Sequence, residues 1–292
     1  MEGLSRLIVA IIGGAGRMGS WFAKYFLEHG HEVVISDINM DRAEIIAKSL
    51  NLRLAKNNIE AARIANLIFV ATPINVTPGV LSEIMPELGE SKIVAEISSL
   101  KSNVLPTLKK IANRGVKSLS IHPLFGSGAR GMAGERIALI PVSDQLVEED
   151  LAKRIFPEAK IVVVDFKVHD EIMALTLALT HFINIVFASV VSEENISLLR
   201  NLGGTTFILQ LAVSEAVMAE DPSLYASIQI GNEHTIKYLS KFMSKAARLK
   251  NIIENKDFKG FVEFYRLTQE MISKDEEFAG AYERMYRALK AL

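Results

Sequence analysis

Short apolar runs alternate with amphipathic segments along the chain from residue 6 to about residue 165. The apolar runs are rich in Val and Ile, which is typical of strands, and the segments between them have helical spacing. Strands that alternate with helices predict a parallel sheet covered by helices on both faces. The seven predicted strands are LIVAII, EVVIS, LIFVAT, KIVAEIS, SLSIH, RIALIPV and KIVVVD.

Beyond Lys167 the strand-like runs stop, and helical patterns fill the rest of the chain. Gly203-Gly204 and Asp221-Pro222 interrupt these patterns. Asp followed by Pro predicts a helix start, because Asp caps the first turn and Pro fits the first helical position. The sequence therefore predicts two domains: a doubly wound, mostly parallel α/β domain over residues 1–166 and an all-helical domain over residues 167–292.

A charge-free apolar run extends from Ile172 to Ser192 and is about long enough to span a bilayer. It contains polar side chains, including His181 and Asn184, and no cluster of Lys or Arg flanks it to set a topology. We therefore expect a helix buried in protein, and no membrane partner. One helical domain of this size would leave part of such a helix uncovered, which predicts a homodimer formed through the helical domain.

Composition narrows the classes of function. The 292 residues are 49% hydrophobic and include 33 Lys and Arg against 34 Asp and Glu, a net charge of -1. Because no basic run is present, a nucleic-acid partner is not expected. The chain has no cysteine, which removes disulfides and thiol nucleophiles and fits a cytoplasmic protein. No carboxylate or histidine cluster has the spacing of metal ligands, so no metal is expected.

The segment GGAGRMG follows the first predicted strand. Gly14, Gly16 and Gly19 have the G-x-G-x-x-G spacing of a dinucleotide-binding turn, and the chain continues as a helix from Met18. In such a turn the first glycine allows the tight bend, the second admits a pyrophosphate, and the third lets helix and strand pack closely. Glycines also end strands for purely structural reasons, but the order strand, glycines, helix, strand and acid favours a Rossmann-type nucleotide site.

The acid that closes the second predicted strand is Asp37, which would accept hydrogen bonds from ribose hydroxyls and repel a 2′-phosphate. This favours NAD as the cofactor. Arg17 and Arg42 could each reach a phosphate, so NADP stays open. Thr72 and Pro73 lie at the end of LIFVAT and would border the cofactor, because ligands of doubly wound sheets lie beyond the carboxyl ends of the strands.

Two further strand ends carry reactive side chains. His122 ends SLSIH, and the ordinary pKa of histidine, about 6.5, suits proton transfer near neutrality. As a neutral imidazole it could take a hydroxyl proton while a hydride leaves; a histidine that only caps the strand end is the alternative. Ser99, after KIVAEIS, could orient His122, contact a nicotinamide or cap the next helix. His181, with Asn184 one turn later, is by its position a core residue as readily as a catalytic one.

The segments ATPINVT, EISSLK, IHPLFG, HDEIMALTLALTHF and DPSLYASIQ follow the glycine turn in this order. Together they resemble the prephenate dehydrogenase family of tyrosine biosynthesis over most of the chain. The resemblance implies a Rossmann domain joined to a helical dimerisation domain, and NAD-dependent oxidative decarboxylation of prephenate or arogenate. It also implies roles for three residues: His122 as the catalytic histidine, Ser99 as its hydrogen-bond partner and His181 close to the substrate.

The chain departs from the family where an arginine normally holds a substrate carboxylate. Ala216 stands at that position, and Ile208 aligns with a second arginine found in some members. A dianionic substrate in a partly buried site needs cationic partners. The candidates are Arg130, which follows IHPLFG, Lys101, Arg200 and a residue of a partner subunit; alternatively the substrate is a different or less charged one.

Two other functions stay open. A related β-hydroxyacid dehydrogenase would use a lysine on a helix of the second domain, where Lys237 or Lys241 could serve, although the intact loop after His122 argues against it. A non-catalytic nucleotide-binding protein is the alternative outside enzymes, and Ala216 favours it.

Overall fold

The computed structural model describes residues 6–292. The chain divides into two compact units, Met1–Met173 and Ala174–Leu292. The predicted domain boundary lies between residues 166 and 167, at the start of helix Phe166–Met173, whereas the two units divide after the last residue of this helix.

The first unit is built on one eight-stranded sheet with the order β3-β2-β1-β4-β5-β6-β7-β8. Neighbouring strands are parallel, except that β7 runs antiparallel to β6. All seven predicted strands are present, and the doubly wound, mostly parallel fold is confirmed. The strands are β1 Ile8–Ile12, β2 Glu32–Ser36, β3 Arg53–Leu54, β4 Leu67–Val70, β5 Ile93–Glu96, β6 Lys117–Pro123, β7 Arg136–Ile140 and β8 Lys160–Val163.

Helices cover both faces of the sheet. Val9 and Ile11 of β1 join one buried apolar cluster, and Ala10 and Ile12 join a second. A strand that is buried on both faces must be apolar at every position, which explains why β1 reads as a continuous hydrophobic run. The helices of this unit are α1 Arg17–Glu28, α2 Met40–Leu50, α3 Asn58–Ile64, α4 Thr77–Ile84, α5 Leu105–Ala112, α6 Gln145–Ile155 and α7 Phe166–Met173.

The second unit is helical throughout. A π-helical stretch, Ala174–Leu179, leads into its first α-helix, and the predicted breaks at Gly203-Gly204 and Asp221-Pro222 are confirmed. Asp221 caps its helix by accepting a hydrogen bond from the backbone N–H of Ser223. The helices are α8 Thr180–Val191, α9 Ile196–Leu202, α10 Thr205–Met218, α11 Pro222–Gly231, α12 Thr235–Glu254, α13 Phe258–Ile272 and α14 Ala281–Leu289.

Among residues 6–292 one helix, Phe166–Val191, is long and apolar enough to cross a membrane, judged by length and composition alone. Its most apolar window has a mean hydropathy of 2.0, and 22% of that window is buried. The expected burial in protein is therefore not provided by one chain: Val186 and Val190 are among the apolar side chains left exposed. An exposed apolar face of this kind is typical of an interface with another surface.

Candidate active site

The glycine turn between β1 and α1 is too tight for side chains at two of its positions. A Cβ atom on Gly14 would lie 2.6 Å from Cβ of Ile35, and one on Gly19 would overlap the carbonyl oxygen of Gly13. At Gly16, by contrast, the nearest atom is 3.2 Å away. Gly14 and Gly19 therefore let α1, β1 and β2 pack closely, and a side chain at Gly16 would be in tight contact with the carbonyl oxygen of Gly13.

Gly13 also belongs to this turn, although it lies outside the G-x-G-x-x-G spacing. Its φ angle is +86°, and a Cβ there would lie 2.6 Å from the carbonyl oxygen of Ala71. Glycine is required because both the backbone conformation and the neighbouring strand end exclude a side chain. The contact brings Thr72 and Pro73, just beyond Ala71, to the edge of the turn. The Thr72 hydroxyl is 2.9 Å from the hydroxyl of Thr77 at the start of α4.

Asp37 lies beside the same turn, at the carboxyl end of β2. Its Oδ2 atom accepts a hydrogen bond from the backbone N–H of Ala15 at 2.9 Å, and its Oδ1 atom accepts one from Asn39 at 2.9 Å. The carboxylate is therefore held against the loop that a dinucleotide would cross. Helix α1 is capped by Gly16, which offers no side-chain acceptor to the first-turn N–H groups.

Three arginines line one cavity of about 630 Å³ along α1: Arg17, Arg42 and Arg130. The loop that carries Arg130 is held on α1, because the indole N–H of Trp21 donates a hydrogen bond to the carbonyl oxygen of Ala129 at 2.8 Å. The structure thus brings Arg130, predicted to hold a substrate carboxylate, together with the two arginines predicted to reach a cofactor phosphate.

His122 is buried near the end of β6, with 5% of its surface exposed. Its Nδ1 atom lies 3.1 Å from Nε2 of His169, and Nδ1 of His169 lies 2.7 Å from Oδ1 of Asp170. Burial, the charge of Lys101 and the neighbouring His169 lower the pKa of His122 well below its ordinary value, with Asp170 opposing them. The imidazole of His122 is therefore neutral near pH 7.

Asp170 is held by backbone groups at the end of the β5 loop. Its carboxylate accepts hydrogen bonds from the N–H of Lys101 at 3.0 Å and of Ser102 at 2.9 Å. Burial alone would raise the pKa of Asp170, but these bonds and the one with His169 outweigh it and lower the pKa to about 2. Asp170 is therefore an anion at any pH at which the protein would be assayed.

Lys101 is fully buried and paired with Glu96, which is buried as well. Its ammonium group donates hydrogen bonds to Oε1 of Glu96 at 2.7 Å and to the carbonyl oxygen of Ile121 at 2.7 Å. Glu96 also accepts from the Ser120 hydroxyl at 2.5 Å and the Ser98 backbone at 2.7 Å. The suggestion that Lys101 could bind a substrate carboxylate is wrong, because its charge is already used inside the fold.

Ser99 makes neither the hydrogen bond to His122 nor the helix cap that were expected of it, and its contact with a nicotinamide stays a prediction. No hydrogen bond joins Ser99 and His122 in the part of the chain that the structure describes, where the partner of His122 is His169. Ser99 is not a helix cap either, because α5 starts at Leu105 with Val104 as the N-cap residue. The His169-Asp170 pair lies in the segment HDEIMALTLALTHF, and the sequence pattern alone indicates no role for it.

His181 lies near the start of α8, immediately after the π-helical stretch. Its Nδ1 atom is buried without a hydrogen-bond partner, and its ring packs edge-on against Tyr225 with the centroids 4.4 Å apart. Burial lowers the pKa of His181. Asn184, one turn later, has a structural part, because its Oδ1 atom accepts hydrogen bonds from Gln210 and Ser214 of α10. An unpartnered buried nitrogen is rare in a core and is typical of a site that binds a ligand.

The remaining cations of the second unit are on its surface. Arg200 pairs with Glu215 at 2.5 Å, and both side chains are about half exposed. Arg200 is on α9, and its partner Glu215 precedes Ala216 on α10, so this ion pair lies beside the position of the missing arginine. Lys237 and Lys241 are exposed on α12. Neither lysine is buried in a cleft, which is where catalytic lysines are usually found.

The fold and the glycine turn define a Rossmann-type nucleotide-binding protein with a helical second domain. Residues 22–140 match the model of the prephenate dehydrogenase nucleotide-binding domain, and residues 165–267 match that of the prephenate dehydrogenase dimerization domain. The chain therefore belongs to the prephenate dehydrogenase family.

Among curated proteins, the chain is 28% identical to the "Probable arogenate/prephenate dehydrogenase" of Methanocaldococcus jannaschii, over 90% of this chain and 60% of that protein. It is 26% identical to the T-protein of Haemophilus influenzae, over 88% of this chain and 65% of that protein. The chain thus spans less than two thirds of the length of these two relatives.

Solved structures share the fold. The Aquifex aeolicus prephenate dehydrogenase in complex with hydroxyphenyl propionate and NAD+ matches with a TM-score of 0.76 and 17% identity, covering 94% of this chain and 100% of that chain. The Synechocystis arogenate dehydrogenase matches with a TM-score of 0.67 and 18% identity, covering 91% of this chain and 99% of that chain. The predicted Rossmann-plus-helical architecture is confirmed by these matches.

Proposed function

We propose that this chain catalyses the NAD-dependent oxidative decarboxylation of prephenate or arogenate to 4-hydroxyphenylpyruvate or tyrosine. The observation that carries this proposal is His122, a buried and neutral imidazole near the carboxyl end of β6. It stands on the same sheet whose first strand leads into the glycine turn. Membership of the family, and relatives named prephenate and arogenate dehydrogenases, support the choice of reaction. Such a biosynthetic enzyme is expected in the cytoplasm.

The glycine turn fits a dinucleotide. Without a side chain at Gly16 a pyrophosphate could approach the backbone, and the N-terminus of α1 supplies N–H donors and a partial positive charge. Asp37 is held where it can accept hydrogen bonds from ribose hydroxyls, and its charge disfavours the 2′-phosphate of NADP. When bound, the nicotinamide ring would accept the hydride from the substrate. Arg17 and Met18, at the start of α1, and Thr72 and Pro73 would line this cofactor.

His122 would act on the hydroxyl group of the cyclohexadienyl ring. As the C–H bond at the hydroxyl-bearing carbon breaks and hydride departs, the Nε2 atom accepts the hydroxyl proton. The bond to the ring carboxylate then breaks, carbon dioxide leaves, and its electron pair completes the aromatic ring. The imidazolium returns the proton to the phenolate oxygen, so His122 is neutral again at the end of the cycle.

His181 would contact the substrate through its unpartnered ring nitrogen. The anionic groups of the substrate need a cation in place of the one missing at Ala216. Arg200 is favoured among the residues of this chain, because its side chain is about half exposed and, through Glu215, lies beside Ala216. Arg130 and a residue of a partner subunit are the other candidates. An Arg200→Ala variant is expected to raise KM for the substrate more than it lowers kcat.

The chain would act as a homodimer. The apolar helix Phe166–Val191 has only 22% of its most apolar window buried by its own chain, and residues 165–267 match a dimerization domain of the family. Burying an apolar surface of this size is what obligate dimers do. Light scattering of the purified protein at micromolar concentration is expected to give twice the mass of one chain, and a stable monomer would contradict this part of the proposal.

The decisive experiment is a steady-state assay of NADH formation with prephenate and with arogenate. Wild-type protein should turn over at least one of them, and His122→Asn should lose about 10²- to 10⁴-fold in kcat while still binding NAD. His234→Asn is the matched control, because that histidine is partly exposed beside a helix start. Protein that binds NAD and turns over neither substrate would show a nucleotide-binding protein without this activity.

A further inference from the structure

We propose that His169 and Asp170 are positioning residues that hold the neutral His122 ring in one tautomer, with its proton on Nδ1 and its lone pair on Nε2. This inference rests on the proposed function, since it assigns the atom of His122 that acts as the base. All three residues are buried, with at most 5% of any of them exposed. They form one continuous hydrogen-bonded row in the first unit, running from α7 to the end of β6.

The direction of the row follows from Asp170. An ionised carboxylate can only accept hydrogen bonds, so the 2.7 Å contact requires that Nδ1 of His169 is the donor. We take His169 to be neutral, and in a neutral imidazole the other nitrogen then carries a lone pair. Nε2 of His169 is therefore an acceptor, and Nδ1 of His122, 3.1 Å away, must donate to it. Nε2 of His122 is left as the basic nitrogen.

The row ends at Nε2 of His122. No hydrogen bond to Nε2 of His122 is made by any residue that the structure describes, in contrast to Nδ1. A ring with its proton on Nε2 would present a donor at this end and could not take a proton from a hydroxyl group. The His169-Asp170 pair thus decides whether His122 can work as a base at all.

Asp170 is itself held by hydrogen bonds from the loop that follows β5. Its two oxygens accept the backbone N–H groups of Lys101 and Ser102, which no substrate can displace from a buried site. The side chain of the same Lys101 donates to the carbonyl oxygen of Ile121, the residue before His122. The end of β5, the end of β6 and the first turns of α7 are therefore fixed to one another around the row.

The tautomer can be measured without any activity. In protein labelled with ¹⁵N-histidine, two-bond ¹H–¹⁵N correlation spectra at pH 8 distinguish a protonated Nδ1 from a protonated Nε2. The chain has six histidines, and His122→Asn identifies the signals of His122 by their loss. We expect His122 with its proton on Nδ1 and His169 likewise. A wild-type spectrum with the proton of His122 on Nε2 would overturn the proposal.

Asp170→Asn tests the cause. The amide oxygen should face the N–H groups of Lys101 and Ser102, which places the amide NH₂ against Nδ1 of His169. The row then reverses, His122 carries its proton on Nε2, and kcat should fall about 10²- to 10⁴-fold with little change in the affinity for NAD. Asp165→Asn is the matched control: Asp165 is exposed five residues earlier and hydrogen-bonds only near the start of α7.

The outcomes separate this inference from the proposed function. A reversed tautomer with lost turnover supports both. An unchanged tautomer in Asp170→Asn, or full activity with the reversed tautomer, contradicts the positioning role even when wild-type protein is active. Wild-type protein that shows the predicted tautomer and turns over neither substrate would leave the row correct and the proposed reaction wrong. If Asp170→Asn fails to fold, as its circular dichroism would show, the wild-type spectrum decides.

Discussion

Replacing Lys101 by methionine should destabilise the first unit strongly. The substitution removes the ammonium group that donates to Glu96 and Ile121, both at 2.7 Å, and leaves a carboxylate buried without its counter-charge. Breaking a buried ion pair by removing one partner costs about 3–5 kcal/mol. For a unit of 173 residues, an unfolding entropy of about 2.1 cal/mol/K per residue converts this to a fall in Tm of about 8–14 °C.

Differential scanning calorimetry of the whole protein would measure this fall. Lys153→Met is the matched control, because Lys153 pairs with Glu149 at 2.6 Å on the exposed side of α6. An exposed pair of this kind contributes about 0.3–0.5 kcal/mol, so the control should lower Tm by only about 1 °C. The two variants make the same chemical change and differ in burial.

A double variant tests whether the buried charge is the cause. Glu96→Gln combined with Lys101→Met removes both charges and keeps an amide oxygen for the backbone N–H of Ser98. It should recover at least half of the stability lost in Lys101→Met, because no uncompensated charge stays buried. Two results would contradict this account: a Tm for Lys101→Met that is no lower than that of Lys153→Met, or a double variant that recovers none of the stability lost in Lys101→Met.

Three further predictions concern the cofactor turn and the histidine row. Asp37→Ala should weaken NAD binding in calorimetric titrations and reduce the ratio of the affinity for NAD to the affinity for NADP. An unchanged ratio would contradict the proposal that Asp37 binds the ribose hydroxyls. Gly19→Ala should lose NAD binding by more than tenfold, because the added methyl group would overlap the carbonyl oxygen of Gly13, and wild-type affinity would contradict the packing described. The pKa of Asp170 is lowered from 3.8 to about 2, so its stabilisation is present above pH 4 and lost as the pH falls toward 2; an acid titration by circular dichroism should show less of this loss in Asp170→Asn.

The sheet could be predicted because its signals are local. Most of the long strands contain a run of apolar residues, and such a run alone indicates a strand buried on both faces. The exception is β3, which consists only of Arg53 and Leu54 and pairs with Val34 and Ile35 of β2. A strand of two residues, one of them charged, has no hydrophobic periodicity in the sequence. It is recognised only from its pairing with β2.

The site was predictable to the extent that it is built from neighbours in sequence. The glycine turn and Asp37 lie within one βαβ unit, and their spacing indicates a dinucleotide site. The contact between His122 and His169 joins residues 47 positions apart and depends on where α7 begins. Lys101 was misassigned because its partner, Glu96, lies inside an apolar strand segment, and only the fold shows that the two side chains meet.

Lys101 also has a consequence for how relatives of this chain can diverge. Its backbone holds Asp170 and its side chain holds Glu96 and Ile121, so three elements depend on one residue. A lineage that loses the lysine alone passes through a destabilised intermediate, whereas losing the glutamate alone leaves an unpaired cation. Positions 96 and 101 should therefore be inherited as a pair, and an aligned set of relatives should show the two either both charged or both neutral.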